Sequence, residues 1–445
     1  MLRILPQAEA ESALGALRAR LEVFEKESSA RSAALTRKVF GQALSPAEVV
    51  ARIVKDVQER GDDAVVEYTL KLDGAILTPD MFRVEAKTIL GAEKRAAAEF
   101  MAAVRFAAGN VREYQESIRA SDPKKFKSGG RELWRTYTPV RSAAAYVPGG
   151  LAPYPSTVIM SVVPAQAAGV PRIAVVSPPR KGQDVDPLVL ATCGALGVDE
   201  VYRVGGVQAI AALAFGTQAI PKVDKIVGPG NLFVMLAKKA VYGYVDIDLF
   251  AGPSEILVIA DGKADAGYVA ADLLSQAEHD EMASAILVTE SRELAERVSA
   301  EIEKQLPQLS RAEVARASIS RFGLAVIVGS MEAAVEVANG IAPEHLEVLT
   351  EDGDEVASRI DRAGAVFVGP WTPEAVGDYV AGSSHILPTG GTARFFSGLS
   401  VNSFLRSTAF VKYSRAELAK AQAAIQALAA AEGYDAHAKS ARIRK

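Results

Sequence analysis

From about residue 143 onward, short apolar strands alternate with helices, and this pattern constrains the fold more than any other feature of the chain. The predicted strands are uninterrupted runs rich in Val and Ile, and helices follow most of them. Such strands are buried on both faces, which is typical of parallel sheets covered by helices. The runs lie at residues 173–176, 201–204, 225–227, 256–259, 285–288, 324–328 and 365–368. The sequence therefore predicts an α/β fold with two Rossmann-like, doubly wound parallel sheets and a break near residues 245–255.

The break between the two sheets defines the expected domain organisation. A chain of 445 residues is too long for one ordinary hydrophobic core. We expect a first α/β domain that combines residues 24–142 with 254–399, and a second, Rossmann-like domain over residues 143–253. Small helical extensions are expected at the N-terminus, residues 1–23, and at the C-terminus, residues 400–445.

Helix signals mark both ends of the chain outside the alternating region. Residues 45–48 read Ser-Pro-Ala-Glu, a capping box with proline in the first turn, and Gly61 is expected to end that helix. Residues 414–417 read Ser-Arg-Ala-Glu and predict a second capping box, before an Ala-rich helix that stops at Gly433. Residues 8–30 are also predicted to be helical.

Charge and cysteine content exclude several classes of function. The formal net charge of −4 favours neither nucleic acid nor an anionic membrane surface. The single cysteine, Cys193, lies in an apolar stretch, so we interpret it as a buried residue and expect a reducing compartment. The N-terminus lacks the apolar core of a signal peptide, and no apolar run reaches the length of a membrane span. The expected location is the cytoplasm.

Histidine is scarce in this chain, and its positions mark the candidate chemistry. Only four histidines occur, and two of them follow a glutamate, in the pairs Glu278-His279 and Glu344-His345. Histidine changes charge near neutral pH and is the commonest metal ligand, and an adjacent carboxylate can carry a second proton. We therefore predict that the histidines and the polar residues around them form the chemical centre.

Gln276 and His279 lie three residues apart at the end of a predicted amphipathic helix over residues 265–277. At that spacing the two side chains share one helix face. An amide oxygen and an imidazole can hold one metal ion together, and zinc accepts nitrogen and oxygen ligands. By itself the pair is a weak signal, and a solvated helix end explains it better than a metal site does.

The pair Glu344-His345 follows Pro343, which restricts the backbone, and precedes a predicted strand at residues 347–350. Loops beside the strands of open α/β sheets commonly carry functional sites, so the pair is a candidate acid and base. Two exposed polar residues at a turn are the alternative.

A long connection rich in Gly, Ser, Thr and Pro follows at residues 369–391, and it contains Asp378 and His385. Long connections inside compact proteins are usually functional or disordered. These two residues are therefore a candidate metal ligand and a candidate substrate contact, although an ordinary surface loop explains the composition as well.

Two glycine-containing turns link predicted strands to helices, ending in Gln208 and Asn231 respectively. Glycines at such turns let backbone amides approach an anion or a cofactor closely. The chain has neither a GxGxxG fingerprint nor a Walker A sequence. Tight packing of strand against helix explains the glycines about as well as nucleotide binding.

Long motifs in this sequence closely resemble those of the histidinol dehydrogenase family, and the similarity extends through nearly the whole chain. The motifs are YVPGGLAPYPSTVIMSVVPAQAAGV (146–170), VGPGN (227–231), LFAGPSEILVIAD (249–261), SQAEHDEMASAILVTES (275–291), APEHLE (342–347) and GDYVAGSSHILPTGG (377–391). The resemblance implies a zinc-dependent enzyme that uses NAD to oxidise L-histidinol through L-histidinaldehyde to L-histidine, the last two steps of histidine biosynthesis.

The resemblance also implies a role for each matching residue. Glu344 and His345 match the acid–base pair. The implied zinc ligands are Gln276, His279, Asp378 and His437, the last supplied by the partner subunit of a domain-swapped homodimer. The implied substrate contacts are Ser254, Gln276, His279, Glu344, Asp378, His385, Glu432 and His437. The implied NAD contacts are Tyr146, Gln208 and Asn231. In this scheme the first α/β domain carries the zinc and acid–base residues, residues 143–253 bind NAD, and residues 400–445 complete the partner's site.

Three other functions remain open from the sequence. A related NAD-dependent dehydrogenase could oxidise another polar alcohol, such as a sulfonated diol. A zinc hydrolase could use Glu344 as the base for metal-bound water. A non-catalytic protein could bind the metal alone. His385 and Glu432 favour a substrate with an imidazole and an amine, and NADH formation from L-histidinol distinguishes all of these functions.

Overall fold

The computed structural model describes residues 2–15, 36–149, 153–180, 184–250 and 252–444. Its strands are β1 (Arg3–Pro6), β2 (Phe126–Ser128), β3 (Arg131–Pro139), β4 (Ser142–Tyr146), β5 (Arg172–Val176), β6 (Val201–Tyr202), β7 (Lys225–Val227), β8 (Asp246–Ile247), β9 (Glu255–Ala260), β10 (Ser284–Thr289), β11 (Gly323–Ile327), β12 (His345–Leu349), β13 (Ala365–Val368) and β14 (Leu405–Tyr413).

Helices cover the sheets and connect most of the parallel strands. The α-helices span Pro46–Arg60, Asp62–Tyr68, Ala86–Arg95, Ala98–Ser117, Pro155–Ala168, Pro187–Ala195, Gly206–Phe215, Leu232–Val241, Ala266–Ala277, Arg292–Gln305, Ala312–Phe322, Met331–Ile341, Gly353–Ser358, Glu374–Tyr379, Arg415–Ala431 and Asp435–Arg442. Residues 7–15 and 36–40 are also helical. In the described ranges, no helix combines the length and the apolar character that a bilayer crossing requires.

Two parallel sheets form the centre of the fold, as the sequence predicted. The six-stranded sheet has the order β1-β11-β10-β9-β12-β13, and the five-stranded sheet has the order β6-β5-β4-β7-β8. All neighbours in both sheets are parallel. Residues of the central strands β9 and β10 are buried on both faces, which explains their uninterrupted apolar sequence. The prediction of two doubly wound sheets is confirmed.

The strand order places a switch point in each sheet. In the five-stranded sheet the chain starts at β4, builds outward through β5 and β6, and then returns to add β7 and β8 on the other side. In the six-stranded sheet, apart from the N-terminal edge strand β1, the chain starts at β9 and makes the same reversal between β11 and β12. Ligands of open α/β sheets commonly bind where the strand order reverses. A site is therefore expected between β4 and β7 or between β9 and β12.

Two elements at the chain ends were not predicted from the sequence. β1, near the N-terminus, pairs with β11 at the edge of the six-stranded sheet, within the segment that was expected to be purely helical. β14, in the expected C-terminal helical extension, pairs along its full length with β3 in an antiparallel sheet of the order β14-β3-β2. Of the helix predicted at residues 8–30, the structure shows residues 8–15, and the rest lies outside the described residues.

The two predicted capping boxes have different outcomes. At Ser45 both halves are present, since Ser45 Oγ accepts from Glu48 N and Glu48 Oε2 accepts from Ser45 N at 2.8 Å. At Ser414 only the first half forms, with Oγ accepting from Glu417 N at 3.2 Å. The Glu417 carboxylate turns away because it accepts from Gly130 N at 3.4 Å, at the end of the antiparallel sheet. The prediction of the second capping box was therefore wrong for the hydrogen bond from Ser414 N to the Glu417 carboxylate.

Candidate active site

A buried group of histidine and acidic side chains lies at the amino-terminal edge of the six-stranded sheet. His345 begins β12, and Glu255 begins the neighbouring strand β9. Ligand sites of open α/β sheets are commonly found at the opposite, carboxyl-terminal edge. Here, however, the helix that follows β4 approaches the site, and Thr157 in its first turn contacts His385 at 3.4 Å. The site is therefore built between the two parallel sheets.

His345 is oriented by a main-chain oxygen of the adjacent strand. The residue is only 3% exposed, and its Nδ1 lies 3.2 Å from the carbonyl oxygen of Glu255. A carbonyl oxygen can only accept, so Nδ1 carries a proton and Nε2 is left as the basic nitrogen. Nε2 has no hydrogen-bond partner among the described residues. The backbone of β9 therefore selects the tautomer in which Nε2 can take up a proton.

Three carboxylates surround His345 and control its charge. Nε2 lies 3.7 Å from Asp378 Oδ1 and 3.8 Å from Glu374 Oε1, while Nδ1 lies 3.7 Å from Glu344 Oε2. Burial disfavours the charged ring, but these carboxylates outweigh burial and raise the pKa of His345 to about 10. A cation bound at Asp378 would offset that negative charge and favour the neutral ring.

Glu344 is a buried carboxyl group in contact with the neighbouring strand. Its Oε2 accepts a hydrogen bond from Glu255 N at 3.0 Å, which fixes the side chain beside β9. Burial raises the pKa of Glu344 to about 8, although His345 opposes that effect. A carboxyl group that titrates near neutral pH can both accept and release a proton under working conditions.

Asp378 and Glu374 lie on the helix Glu374–Tyr379, within the segment 369–391 that was expected to be a long connection without a helix. Glu374 is 2% exposed, and its Oε2 accepts from Ser275 Oγ at 3.0 Å, while Oε1 has no hydrogen-bond partner among the described residues. Burial would raise the pKa of Asp378, but the imidazole of His345 and two further histidines hold it at about 2. Ligand atoms of Asp378, Glu374 and His345 all lie within 4.8 Å of one another. This arrangement can hold a metal ion.

Gln276 and His279 lie at the end of the helix Ala266–Ala277, which returns to the same edge of the sheet. Gln276 is completely buried, and neither of its amide atoms has a hydrogen-bond partner in the described structure. His279 lies in the turn after the helix, and burial lowers its pKa, although Asp378 opposes this effect. A neutral imidazole and an unpartnered amide oxygen are the forms in which these side chains coordinate a metal.

His385 joins the group from the segment after the short helix. Its Nδ1 donates to the main-chain oxygen of Asp378 at 3.0 Å, and burial lowers its pKa, so the ring is neutral near physiological pH. Ser254 is half-buried and immediately precedes Glu255 at the start of β9. The structure thus brings seven of the predicted residues to one edge of the sheet, namely Ser254, Gln276, His279, Glu344, His345, Asp378 and His385.

Glu432 and His437 do not join this group within one chain. Glu432 is the C-cap of the helix Arg415–Ala431, and His437 lies in the following helix Asp435–Arg442. Both residues are exposed, and the His437 ring contacts Tyr434 of its own segment, with ring centroids 5.1 Å apart. Their predicted roles thus require the C-terminal segment of another subunit.

The three predicted cofactor residues lie at the carboxyl-terminal edge of the five-stranded sheet. Tyr146 ends β4, and its hydroxyl accepts from Gly206 N at 3.1 Å. Gln208, in the first turn of the helix Gly206–Phe215, donates through Nε2 to Asp73 Oδ2 at 3.0 Å. Asn231 caps the helix Leu232–Val241. These residues surround the switch point between β4 and β7, where a dinucleotide is expected.

Comparison with known proteins identifies the family to which this arrangement belongs. The family model described as histidinol dehydrogenase matches residues 38–445. The chain belongs to the histidinol dehydrogenase family. A histidinol dehydrogenase from Halalkalibacterium halodurans is 49% identical over 89% of this chain and 93% of its own length. One from Rhodopirellula baltica is 47% identical over 98% of this chain and 95% of its own length.

A solved structure supports the same family at the level of the fold. The crystal structure of histidinol dehydrogenase from Elizabethkingia anophelis matches with a TM-score of 0.89 and 33% identity. The match covers 100% of this chain and 98% of that chain. The arrangement of two parallel sheets with a C-terminal strand and helices is therefore shared with a member of the histidinol dehydrogenase family.

Three residues of the site were missed from the sequence. Glu374 lies four residues before Asp378, a spacing that places both on one helix face, but the Gly-rich surroundings concealed the helix. Glu255 contributes its backbone to both Glu344 and His345, and its Oε2 accepts from Gly390 N at 3.2 Å. Thr157 reaches the site only through packing of the two sheets, which no local signal predicts.

Proposed function

We propose that this protein is a zinc-dependent, NAD-linked histidinol dehydrogenase that oxidises L-histidinol through L-histidinaldehyde to L-histidine in the cytoplasm, the last two steps of histidine biosynthesis. The main support is the buried pair Glu344 and His345, in which His345 Nε2 is left free by the contact of Nδ1 with a main-chain oxygen. Membership of the family and the single cysteine of the chain agree with this proposal.

The side chains of Gln276, His279 and Asp378 have the chemical properties that zinc ligands need. Gln276 is fully buried, and neither of its amide atoms has a hydrogen-bond partner within the described part of the chain; burial lowers the pKa of the nearby His279. The Asp378 carboxylate is ionised, because the surrounding imidazoles keep its pKa low. Buried polar atoms without partners are costly, and a cation bound among them removes that cost. Zinc takes oxygen and nitrogen ligands of this kind.

We assign the zinc ligands to Gln276, His279 and Asp378 of one subunit, with His437 of the partner subunit as the fourth. When bound, zinc supplies a positive charge that orients the amino alcohol and counters the carboxylates near His345. The side chains that surround it keep the substrate amine and imidazole in one position relative to Nε2. Holding the reacting groups in a fixed geometry lowers the entropic part of the barrier.

His345 serves as the base in the first oxidation. Its Nε2 takes the hydroxyl proton of L-histidinol while Nδ1 remains bonded to the Glu255 carbonyl, so the ring does not need to turn. NAD, when bound, accepts the hydride of each oxidation. General bases in fixed positions contribute about 10²- to 10⁴-fold in rate.

Glu344 serves in the second oxidation, which adds the oxygen of one water molecule to the aldehyde carbon. The pKa of about 8 lets this carboxyl group lose its proton near neutral pH and take one from water. Over both oxidations the alcohol and one water molecule become a carboxylate, two hydrides pass to two molecules of NAD, and three protons are released. The burial of the site keeps the reactive aldehyde away from bulk solvent.

The substrate contacts are proposed on both sides of the site. The contacts from the same subunit are Ser254, Gln276, His279, Glu344, Asp378 and His385. The remaining two are Glu432 and His437 of the partner subunit. The C-terminal segment exposes several apolar side chains that a second subunit would cover; Val411 is 69% exposed, Leu428 66% and Ile443 63%. These observations support a domain-swapped homodimer.

We place the dinucleotide at the carboxyl-terminal edge of the five-stranded sheet, against Tyr146, Gln208 and Asn231. The side-chain oxygen Oε1 of Gln208 is buried and has no hydrogen-bond partner in the described structure, and a donor on the ligand would satisfy it. Because the helix after β4 reaches from this edge to His385, one ligand could extend from the cofactor site to the acid–base pair.

A product count tests this function directly. The purified enzyme with zinc and NAD is expected to form two NADH for each L-histidine from L-histidinol, and removal of zinc by a chelator should stop the reaction. NADH formation from a sulfonated diol but not from L-histidinol would identify the related dehydrogenase instead. Hydrolytic turnover without NAD would indicate a zinc hydrolase, and zinc binding without any turnover would leave only a metal-binding protein.

A further inference from the structure

A fully buried ion pair lies beside the proposed cofactor site, in a position that the reaction itself does not use. It joins Lys238, on the helix Leu232–Val241, to Asp248, the residue directly after strand β8. The two side chains are 2% and 1% exposed. The free energy needed to remove both charges from water is about as large as the free energy gained from their attraction. A buried ion pair therefore adds little to the stability of the fold. Such a pair needs another physical reason to be present.

Both members of the pair bind the main chain of the same residue, Gly228. Asp248 Oδ2 accepts from Gly228 N at 2.7 Å, and Lys238 Nζ donates to Gly228 O at 3.0 Å. Lys238 Nζ also contacts Asp248 Oδ1, so the two side chains and the glycine form one closed network. The donor and the acceptor of Gly228 are thus held by opposite charges, which make stronger hydrogen bonds than neutral groups.

Gly228 is a position at which no other residue fits. Its φ of +115° is unfavourable for residues with a side chain, and a Cβ at this position would lie 2.2 Å from Tyr146 O. The glycine follows β7 directly and begins the turn that ends at Asn231. Asn231 Oδ1 then accepts from Phe233 N at 3.0 Å. The ion pair therefore holds the backbone between two of the proposed cofactor contacts, Tyr146 and Asn231.

We infer that Lys238 and Asp248 are positioning residues for the dinucleotide, because their network keeps the turn of residues 228–231 closely packed on the end of β4. This inference depends on the proposed NAD-linked function. Closely packed glycine turns before a helix let a cofactor approach the backbone. If the turn can move, binding must first order it, and the affinity for the cofactor falls. The pair contacts neither His345 nor the proposed zinc ligands in the described structure, so its effect is confined to the cofactor.

A second ion pair, between the neighbouring strands β7 and β8, provides a control close to the first pair. Lys225 Nζ of β7 contacts Asp246 Oδ2 of β8 at 2.6 Å, and it also donates to Ile247 O at 3.1 Å. The two side chains are 6% and 51% exposed. This pair links β7 to β8 at their amino ends, and among the described residues no hydrogen bond joins it to the turn of residues 228–231.

The test compares two double variants of the full-length enzyme. Lys238→Met with Asp248→Leu removes both charges at once, so no buried charge is left without a partner. We expect its Kd for NADH, measured by calorimetry, and its KM for NAD to rise roughly tenfold or more, the effect of losing about one hydrogen bond. The KM for L-histidinol should not change, and kcat at saturating NAD should stay within about threefold. Lys225→Met with Asp246→Leu should leave NADH binding unaltered.

A second measurement does not depend on activity or cofactor. In the cofactor-free protein, hydrogen exchange of the peptide that contains residues 227–231 should become faster in the first double variant and not in the control. Asp248→Asn, which keeps the side-chain volume, replaces the double variant if that variant does not fold. It should weaken NADH binding in the same direction.

Two outcomes would overturn the inference. One is an NADH affinity within about twofold of the unaltered enzyme in the Lys238/Asp248 variant, since that difference is far below one hydrogen bond. The other is an equal loss in the Lys225/Asp246 variant, which would mean that any disturbance of these strands has the same effect. The proposed function fails separately, if the unaltered enzyme binds NADH but does not oxidise L-histidinol.

Discussion

Replacing His345 by Asn separates the basic nitrogen from the contact that orients the ring. The amide nitrogen of Asn occupies the place of Nδ1 and can still donate to the Glu255 carbonyl, which is 3.2 Å away in the native protein. Nothing in the shortened side chain reaches the position of Nε2, between Asp378 and Glu374. The variant therefore keeps the structural hydrogen bond and loses the proton acceptor.

The expected loss follows from that geometry. A general base in a fixed position contributes about 10²- to 10⁴-fold, so kcat for L-histidinol should fall by the same factor, or about 3–5 kcal/mol in activation free energy. The carboxyl group of Asp378 loses a neighbouring imidazole at 3.7 Å but no hydrogen bond. It can therefore still bind zinc, and the zinc content should be preserved. His345→Gln is the matched variant, because its amide reaches toward Nε2 but cannot keep the contact with Glu255.

The assay is NADH formation at saturating L-histidinol and NAD, with zinc content measured on the same samples. In His345→Asn the residual rate should rise with pH, since hydroxide then replaces the missing base, while the thermal unfolding midpoint stays close to that of the unaltered enzyme. A loss in kcat of less than about tenfold, with zinc and folding preserved, would refute the assignment of His345 as the base.

Four further predictions concern the other groups of the site and the single thiol. Glu344→Gln should slow the oxidation of added L-histidinaldehyde at least about tenfold more than that of L-histidinol; equal losses in single-turnover measurements would contradict the role in water activation. His437→Ala should retain less zinc by elemental analysis. Mixed with His279→Ala, it should regain about a quarter of the activity, because half of randomly formed dimers are hybrids with one intact site; confirmed hybrids without activity would argue against a shared site. In the zinc-free protein, the pKa of His345 is raised to about 10, so NMR should show its ring protonated at neutral pH and losing that proton near pH 10. Zinc should move this titration downward, and a titration that ignores zinc would show that the ion binds elsewhere. Burial raises the pKa of the Cys193 thiol to about 12, so a thiol reagent should modify the native protein far more slowly than the unfolded chain; equal rates would contradict its burial.

The strands of both parallel sheets could be predicted because their signal is local. β7 was predicted with its observed bounds, Lys225–Val227, and β13 with its observed bounds, Ala365–Val368. Each is a short apolar run whose burial depends on its own residues. β14 was missed, because its residues are mostly exposed and its partner β3 lies more than 260 residues earlier in the chain. A strand without a buried face carries no periodic pattern that reveals it.

The site shows the same division between local and distant information. The side chains of Glu344 and His345 indicated an acid and a base from the sequence alone. Only the contact with strand β9 decides which nitrogen of His345 can accept a proton. Glu255 makes both of the deciding contacts, and it lies about 90 residues earlier in the sequence. Glu374 was missed for a related reason, since its carboxylate becomes important only when the helix after β13 folds back against β12.

The sequence by itself determined the class of fold, the helix starts and the residues able to do chemistry, because side-chain volume, hydrophobic periodicity and capping act between near neighbours. The tertiary structure alone decided that the site forms at the amino-terminal edge of one sheet and faces the helix that follows β4 of the other. It also decided the charge state of the site, because burial and contacts between distant residues set the pKa values of Glu344, His345 and Asp378. Those contacts depend on how whole sheets pack together, which no short stretch of the chain encodes.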